Sequence, residues 1–399
     1  MNIISKFYYR SYQKVFKMVS PILPWHEPEL INGDNVYDKL STKLKENNIK
    51  KPMIISGKNT HKLGLIDPLF DSLSRNNFEY YLFNETTPDP TIKLIENARQ
   101  VYIDNNCDAI IAFGGGSPMD CAKAVGARIA RPNKSIPQLK GLLKVRKKLP
   151  LLVAIPTTSG TGSECTIASV VSNSDTREKY AINDLSLIPK YALLDPSLTI
   201  KLPKNTTATT GMDALTHAVE AFIGQSNTKN TEIMAKKAVK LIFENLKTAY
   251  NEPENICARS NMQLASYYAG LAFTRAYVGY VHALAHQLGG IYHTPHGLAN
   301  AVLLPHVLKA YGKSVDKKLA ILAREIGLKG SSDSELAKKF IDEIIRLNES
   351  MQIQNKIDGI DKKDLDIMVK RAMSEAHPLY PVPKLLDKND LIKIYYEIM

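Results

Sequence analysis

Aspartate and histidine residues recur in the second half of the chain at a spacing that suits metal binding. Asp213 and His217 stand four residues apart in TGMDALTHAVEAF, and His282 and His286 repeat this spacing further on. Residues four apart project from one face of a helix, so each pair could reach a single ion. His296 follows in a Pro-His-Gly turn that could fold it back over the same site. One carboxylate with several imidazoles favours a divalent transition metal over calcium or magnesium.

The concentration of histidines strengthens this interpretation. A single histidine on an apolar helix face is more often a packing residue than a ligand, but five of the nine histidines lie between positions 282 and 306. A site with four protein ligands and a bound substrate needs at least five coordination positions. Fe²⁺ accepts that number readily and Zn²⁺ less often, so we expect iron, with zinc as the alternative.

Two glycine-rich segments in the first half indicate a dinucleotide site. In CDAIIAFGGGSPMDCAKAVGARIA, glycines 114–116 separate a buried strand from a helix that we expect to begin with Ser117 as N-cap and Pro118 at its first position. Glycine lets the backbone approach a phosphate, and a helix N-terminus offers free N–H groups. Tight turns between a strand and a helix also use glycine for steric reasons, and the spacing here is not GxGxxG. This turn alone therefore does not establish a dinucleotide site. A second strand in LLVAIPTTSGTGSE runs into seven small or hydroxyl-bearing residues, and two such loops favour the dinucleotide over a flexible surface loop.

The order of the elements predicts two domains. From about residue 50, helical segments alternate with the β-rich runs PMIIS, EYYLF, AIIAF, LLVAI and YALL. This alternation is typical of a parallel sheet covered by helices. After Pro203 the β-rich runs disappear and apolar residues recur at three- and four-residue spacing. We predict a Rossmann-like α/β dinucleotide-binding domain over 1–203 and an all-helical metal-binding domain over 204–399.

Composition is that of a folded enzyme of two domains. The 399 residues exceed one ordinary core, and 44% hydrophobic with 23% charged residues is typical of globular proteins. Lysines and arginines are spread among acidic residues, so the net charge of +12 does not indicate a nucleic-acid partner. The four cysteines lack CxxC spacing, and no segment is typical of a membrane span or a secretory signal. We expect a cytoplasmic protein with reduced thiols.

The extension over residues 1–24 has the pattern of a basic amphipathic helix. Lys6, Arg10, Lys14 and Lys17 recur at helical spacing, and apolar residues fill the other faces. We expect this helix to pack on the body of the protein or on a partner subunit. Contact with a membrane surface is the alternative.

Four motifs together resemble those of the iron-dependent, group III alcohol dehydrogenase family. They are GGGSPMD at 114–120, PTTSGTGSE at 156–164, GMDALTHAVEA at 211–221 and HALAHQLGGIYHTPHG at 282–297. The resemblance extends from about Trp25 to Gly312. It implies a dehydroquinate-synthase-like architecture, a small alcohol or aldehyde as substrate, and a homo-oligomer. It also implies the metal ligands, which are Asp213, His217, His282 and His296.

The resemblance further places His286 near the substrate without making it a metal ligand. It implies cofactor contacts for Gly115, Gly116, Ser117, Asp120, Thr157, Thr158, Thr161 and Lys179. Where NAD-preferring members carry an aspartate after the second strand, this sequence has Gly57. An aspartate there would bind the 2′-hydroxyl of NAD and repel the 2′-phosphate of NADP. We therefore predict NADP(H), with NAD(H) as the alternative.

These features predict a metal-dependent, NAD(P)-linked alcohol dehydrogenase or aldehyde reductase. The metal would act as a Lewis acid during hydride transfer, and His286 is the candidate to relay the proton, although a packing role would also explain it. A diol, polyol or hydroxy-acid substrate stays open. A metal-dependent hydrolase would leave both glycine-rich loops without a role, and a non-enzymatic nucleotide-binding protein would leave the metal-binding pattern unexplained.

Overall fold

The computed structural model describes residues 3–176 and 178–399, which fall into two compact units. One unit comprises Pro24–Thr199, and the other comprises Met1–Leu23 together with Ile200–Met399. The first helix, α1 (Ile3–Val19), thus belongs to the same unit as the second half of the chain, whereas the sequence predicts it as part of the α/β domain. It does so because its polar side chains bond to backbone carbonyls between positions 378 and 383.

A parallel sheet forms the centre of the Pro24–Thr199 unit. The described strands are β1 (Glu29–Ile31), β2 (Pro52–Ser56), β3 (Tyr81–Phe83), β4 (Ala109–Gly114), β5 (Gly141–Leu142), β6 (Leu151–Pro156), β7 (Ala168–Asn173), β8 (Glu178–Asn183) and β9 (Tyr191–Leu193). Six of them form one sheet in the order β1-β9-β6-β4-β2-β3, and every neighbouring pair in it is parallel. The predicted parallel sheet is confirmed.

Alternating residues of the central strands belong to different hydrophobic cores. On β2, Met53 and Ile55 join one core and Ile54 joins the other. Both faces of the sheet are therefore buried, which is why these strands are apolar at every position rather than at every second one. The run EYYLF forms a strand only over Tyr81–Phe83. The sequence did not predict β1 or the smaller sheet β5-β8-β7, in which β7 and β8 are antiparallel.

Six helices cover the sheet or connect its strands. They are α2 (Val36–Glu46), α3 (Lys58–Lys62), α4 (Asp67–Arg75), α5 (Ile92–Asp104), α6 (Gly116–Ala130) and α7 (Ile136–Leu139). Buried apolar residues of α2 and α4 join one of the two cores, and those of α5 and α6 join the other. The β-α alternation read from the sequence therefore corresponds to helices on both faces.

In the rest of the second unit, the described residues form helices joined by loops and no strand, as predicted. Its helices are α8 (Lys204–Ile223), α9 (Lys229–Asn251), α10 (Ile256–Ala276), α11 (Tyr280–Tyr292), α12 (His296–Tyr311), α13 (Asp316–Glu325), α14 (Asp333–Ser350), α15 (Leu365–Ala376) and α16 (Lys388–Ile398). Side chains cap four of these helices by accepting hydrogen bonds from backbone N–H groups of the first turn: Thr228, Asn255, Ser332 and Asp387. No helix of the described chain is long and apolar enough to cross a membrane.

Helix α8 is buried along most of its length, and glycine permits this close packing. A Cβ atom at Gly211 would lie 2.3 Å from Cδ1 of Leu246 on α9, so a larger residue would clash with the leucine side chain that packs there. Gly211 lies two residues before Asp213. The local packing of α8 on α9 therefore fixes where the candidate ligands of α8 lie.

Candidate functional site

Three helices bring the predicted metal ligands together. Asp213 and His217 lie one turn apart on the buried α8, and His282 lies in the first turn of α11. His296 is the first residue of α12, directly after the turn in which the sequence placed it. A Cβ atom at Gly297 would lie 2.3 Å from a backbone oxygen of α8, so glycine is required for α12 to begin this close to α8.

The candidate ligand atoms of Asp213, His217, His282 and His296 all lie within 4.8 Å of one another. Oδ1 of Asp213 is 3.4 Å from Nε2 of His296 and 3.9 Å from Nε2 of His282. Three of the four side chains are buried, whereas that of His296 is 42% exposed. The cluster is therefore reached from the side of His296, where an exogenous ligand could approach.

The donor set fits a divalent transition metal, as the surroundings of Asn300 show. Its amide nitrogen donates to Oδ1 of Asp213 at 2.7 Å and lies 3.2 Å from Nε2 of both His282 and His296. An amide nitrogen has two hydrogens, so it cannot satisfy three acceptors. Oδ1 of Asn300 is buried without a hydrogen-bond partner. More lone pairs converge here than there are hydrogens to bond them, and a bound cation would satisfy the remaining lone pairs.

Glu220 fixes the orientation of His282. This buried carboxylate accepts hydrogen bonds from the backbone N–H groups of Gly279 and Val281, both at 2.8 Å, and lies 2.6 Å from Nδ1 of His282. The Nδ1–H bond turns the Nε2 lone pair towards Asp213. Burial lowers the pKa of His282 well below its usual value, which keeps the imidazole in the neutral form that binds metals.

His286 lies beside the cluster and is oriented by a carboxylate of its own. Its Nδ1 lies 2.6 Å from Oε1 of Glu375, which also accepts a hydrogen bond from the Tyr380 hydroxyl at 2.8 Å. Gln287 donates to the other oxygen of Glu375 at 3.3 Å. The His286 ring stacks on that of His296, with centroids 5.3 Å apart. The imidazole is thus held next to the candidate ligands with Nδ1 committed to Glu375.

The glycine turn after β4 begins helix α6 earlier than the sequence predicted. The helix starts at Gly116 with Gly115 as N-cap, so the prediction of Ser117 as N-cap and Pro118 at the first helical position is wrong by two residues. The cause is Gly114, whose φ of +149° turns the chain sharply and whose position has no room for a Cβ, which would lie 2.6 Å from Pro118. Ser117 is instead the second residue of the helix.

The two predicted cofactor loops lie side by side. The backbone N–H of Thr157 donates to the carbonyl of the last residue of β4 at 3.0 Å. Thr158 and Thr161 lie next to the two glycines at the start of α6: a Cβ at Gly115 would be 3.5 Å from Thr158, and one at Gly116 would be 3.3 Å from Thr161. Hydroxyl groups and unhindered backbone N–H groups therefore share one edge of the sheet, the edge at which ligands bind in open α/β sheets.

A buried lysine anchors the second loop. Nζ of Lys123, on α6, lies within 3.2 Å of five oxygens, which belong to Ser163, Thr166 and Ala168. These residues directly follow the threonine-rich part of the loop. The ammonium group therefore ties the loop to the helix that carries the glycine turn.

Two further predicted cofactor residues lie near this loop. Asp120 is one turn before Lys123 on α6, and burial raises the pKa of its carboxyl while the charge of Lys123 opposes this rise. Lys179 lies on β8 with its Nζ 2.5 Å from the carboxylate of Asp89, and both side chains are more than half exposed. The positive charge of Lys179 also lowers the pKa of Asp120, which indicates that the two groups are neighbours.

Gly57 directly follows β2, next to the glycine turn in the sheet. Ser56 pairs with Phe113 of β4, so the chain leaves both strands at the same level. The φ of Gly57 is −93°, which any residue can adopt, and a Cβ there would lie 3.4 Å from the carbonyl oxygen of Thr86. The position accepts a side chain, and glycine there is not a requirement of the backbone.

Comparison with known families covers both units. Residues 28–196 match the family model described as iron-containing alcohol dehydrogenase. Residues 207–399 match the model described as Fe-containing alcohol dehydrogenase family, C-terminal. The chain belongs to the iron-containing alcohol dehydrogenase family. This family consists of oxidoreductases that act on alcohols, and membership implies a metal ion and a nicotinamide cofactor.

Individual members of the iron-containing alcohol dehydrogenase family are similar over most of the chain. The NADPH-dependent butanol dehydrogenase of Clostridium saccharobutylicum is 35% identical, covering 87% of this chain and 90% of that protein. The NAD-dependent methanol dehydrogenase of Bacillus methanolicus is 33% identical, covering 88% and 92%. A crystal structure of 1,3-propanediol oxidoreductase superimposes with a TM-score of 0.90 at 33% identity, covering 94% of this chain and 99% of that one.

Sequence reasoning missed four residues that shape the candidate site. Glu220 and Lys123 left a detectable signal, because each is a charged residue in a largely apolar helix. Asn300 follows His296 by four residues and therefore lies on the same helix face. Glu375 left none, since 89 residues separate it from His286.

Proposed function

We propose that this protein is a metal-dependent, NAD(P)-linked alcohol dehydrogenase or aldehyde reductase acting on a small primary alcohol or aldehyde. The observation that carries the proposal is the convergence of one carboxylate and three imidazoles within 4.8 Å, in a chain that also has two adjoining loops suited to a dinucleotide. A diol substrate fits the same chemistry, because one hydroxyl reacts at a time.

Asp213, His217, His282 and His296 would hold the metal, which we propose to be Fe²⁺ with Zn²⁺ as the alternative. When bound, the metal would supply Lewis-acid chemistry at the substrate oxygen, and the nicotinamide would exchange a hydride with the substrate carbon. The partial exposure of His296 leaves an approach for the substrate. Glu220 keeps the lone pair of His282 on Nε2, the atom that faces the other ligands.

His286 is the residue that we propose to take up the alcohol proton and to return it during aldehyde reduction. Its Nδ1 is bound by Glu375, so the proton is exchanged at Nε2. The Glu375 carboxylate favours the positively charged imidazolium, and the hydroxyl of Tyr380 fixes the position of that carboxylate. Glu375 is a positioning residue in this scheme, because it acts through His286.

We propose that Gly57, Gly115, Gly116, Ser117, Asp120, Thr157, Thr158, Thr161 and Lys179 bind the dinucleotide, with NADP(H) preferred and NAD(H) as the alternative. The preference rests on Gly57, where no carboxylate repels a 2′-phosphate. Relatives of both kinds are known, one NADPH-dependent and one NAD-dependent. A tenfold preference for NADH in kcat/KM would reject this part of the proposal.

The decisive experiment is an activity panel on protein reconstituted anaerobically with Fe²⁺ or Zn²⁺. We expect a change in nicotinamide absorbance with butanol and butanal, and the panel includes 1,3-propanediol and a hydroxy acid to define the substrate class. Asp213→Asn and His217→Ala should lose bound metal and activity together. His306→Gln, which changes a histidine of α12 bonded to Glu397, is the matched control. A fully active, metal-free variant would refute the scheme.

A further inference from the structure

Helix α1 is attached to the protein by polar side chains and two aromatic rings, and it leaves most of its other apolar residues exposed. Arg10 donates to the carbonyl oxygens of Val382 at 2.7 Å and Pro383 at 3.1 Å. Gln13 is buried and donates to the carbonyl oxygen of Tyr380 at 2.7 Å. Tyr9 stacks on His377 with ring centroids 4.5 Å apart, and Phe16 meets the Tyr277 ring edge-on at 5.4 Å. The usual surface helix turns its apolar stripe to the core, whereas most of the remaining apolar residues of α1 face away from it.

The outer face of α1 carries exposed apolar side chains with Lys14 among them, and we define it by Ile3, Phe7, Val15 and Met18. Their exposed fractions are 85%, 74%, 61% and 70%. Nine of the sixteen exposed large apolar side chains of the described residues lie between positions 3 and 22. Scattered exposed apolar residues are normal, but this concentration on one helix marks an interaction surface.

The charge of this segment is of one sign. Residues 1–26 contain Lys6, Arg10, Lys14 and Lys17 but no aspartate or glutamate. Lys6, Lys14 and Lys17 are exposed on α1, but Lys17 donates to the carbonyl oxygen of Gln225 at 2.7 Å and Arg10 is bonded to the carbonyl groups beneath it. Together with a hydrogen bond from the backbone of Asp390, the charge of Lys6 lowers the pKa of Asp387 on the body of the protein. Lys6 and Lys14 have no acidic residue of their own segment to neutralise them.

We propose that the outer face of α1 binds the surface of an anionic phospholipid membrane. Phe7, Val15 and Met18 would enter the boundary between headgroups and acyl chains, and Lys6 and Lys14 would reach the lipid phosphates. The helix is already folded and attached to the protein, so no folding cost opposes binding. It lies on the membrane in this arrangement and does not span it.

Charge decides against a second copy of this chain as the occupant. A symmetric contact between two outer faces would bring the Lys6 and Lys14 side chains of both copies together. The segment has no carboxylate to pair with these four ammonium groups. An anionic lipid surface supplies partners for the lysines and an apolar medium for the helix face.

Co-sedimentation of the full chain with vesicles tests this proposal. We expect binding to vesicles of phosphatidylglycerol and phosphatidylcholine, little binding to phosphatidylcholine alone, and weaker binding at high salt. Replacing three residues of the outer face in Phe7→Ser/Val15→Ser/Met18→Ser should reduce binding to the level of neutral vesicles. Lys6→Gln/Lys14→Gln should lower the partition coefficient roughly 20- to 30-fold, from about 1 kcal/mol for each lysine.

Control variants remove exposed apolar residues or lysines elsewhere on the surface. Ile321→Ser/Ile367→Ser removes two exposed isoleucines, and Lys338→Gln/Lys370→Gln removes two exposed lysines. Both controls should bind anionic vesicles as the unmodified protein does. The lysine variants keep every apolar residue, so they test the proposal even if the triple serine variant does not fold.

Three outcomes would overturn the proposal. The first is that the unmodified chain binds anionic vesicles no better than neutral ones. The second is that the outer-face and lysine variants bind as tightly as their controls. The third is that light scattering shows a smaller assembly for the outer-face variant while its vesicle binding is unchanged, which would make a second copy the occupant.

Discussion

Replacing Glu220 by glutamine tests how the candidate metal site is oriented. The carboxylate accepts three hydrogen bonds: Oε1 accepts one from the N–H of Val281, and Oε2 accepts those from Gly279 and from Nδ1 of His282. Glutamine has the same shape but one oxygen instead of two. The substitution therefore removes an acceptor without creating a cavity.

The size of the effect follows from the two orientations open to the glutamine. If its oxygen takes the Oε2 position, its NH₂ group faces the N–H of Val281, and two opposed buried donors cost about 1–3 kcal/mol. In the opposite orientation the NH₂ group faces Nδ1 of His282. The imidazole proton must then move to Nε2, where it blocks metal binding. We expect metal affinity to fall roughly 10- to 100-fold.

Chelator competition measures the affinity for Zn²⁺ or anaerobic Fe²⁺, and thermal melting of the metal-free protein measures the lost hydrogen bond. Glu244→Gln is the matched control, since that glutamate lies on α9 with its side chain 54% exposed. The control should keep both values. A Glu220→Gln variant with metal affinity within about twofold of the unmodified protein and an unchanged melting temperature would refute the proposed orienting role.

Four further predictions concern other parts of the site. Glu375→Gln should lower kcat about tenfold in the unmodified protein but less than about twofold in a His286→Asn background, and equal losses in both would contradict a role through His286. Gly57→Asp should reduce kcat/KM for NADPH roughly 30- to 150-fold, by repulsion of about 2–3 kcal/mol from the 2′-phosphate, whereas the neutral Gly57→Asn should have little effect. Lys123→Met should weaken dinucleotide binding in titrations and lower the free energy of unfolding of its unit by about 2–4 kcal/mol, because the five surrounding oxygens share the three ammonium hydrogens that the substitution removes; unchanged binding would contradict the anchoring role. Burial raises the pKa of Glu164, at the end of the second loop, to about 7, so its ionisation destabilises the fold as pH rises from about 4.5 through 7; Glu164→Gln should raise the free energy of unfolding at pH ~8 by up to roughly 3 kcal/mol and leave it unchanged at pH ~4.5, and an equal effect at both pH values would contradict the raised pKa of Glu164.

The architecture was largely predictable because its signals are local. A strand buried on both faces is apolar at every position, as in β2 and β4, and such runs are visible without knowledge of their neighbours. The strand β1 has three residues and no comparable run, so it escaped prediction. In β7 the buried position 169 is serine and the partly exposed position 170 is valine, so the sequence does not show the alternation that the burial pattern has.

The candidate site was predictable only where its residues lie close in sequence. Asp213 and His217 share one turn of α8, so their common direction follows from helix geometry alone. The start of α6 was misplaced because Ser117 and Pro118 are favoured residues at a helix start, whereas the sharp turn at Gly114 lets the helix begin before them. Here a requirement of backbone geometry outweighed a residue preference.

Each residue that orients a side chain of the candidate site lies on a different helix from that side chain, so the small site depends on several helices of the unit. Asp213 on α8 is held by Asn300 of α12, His282 on α11 by Glu220 of α8, and His286 on α11 by Glu375 of α15. Each reactive side chain thus takes its direction from a different helix. A ligand geometry accurate to a few tenths of an ångström therefore depends on the packing of four helices, and the glycines that let α8 and α12 approach contribute to it as directly as the histidines.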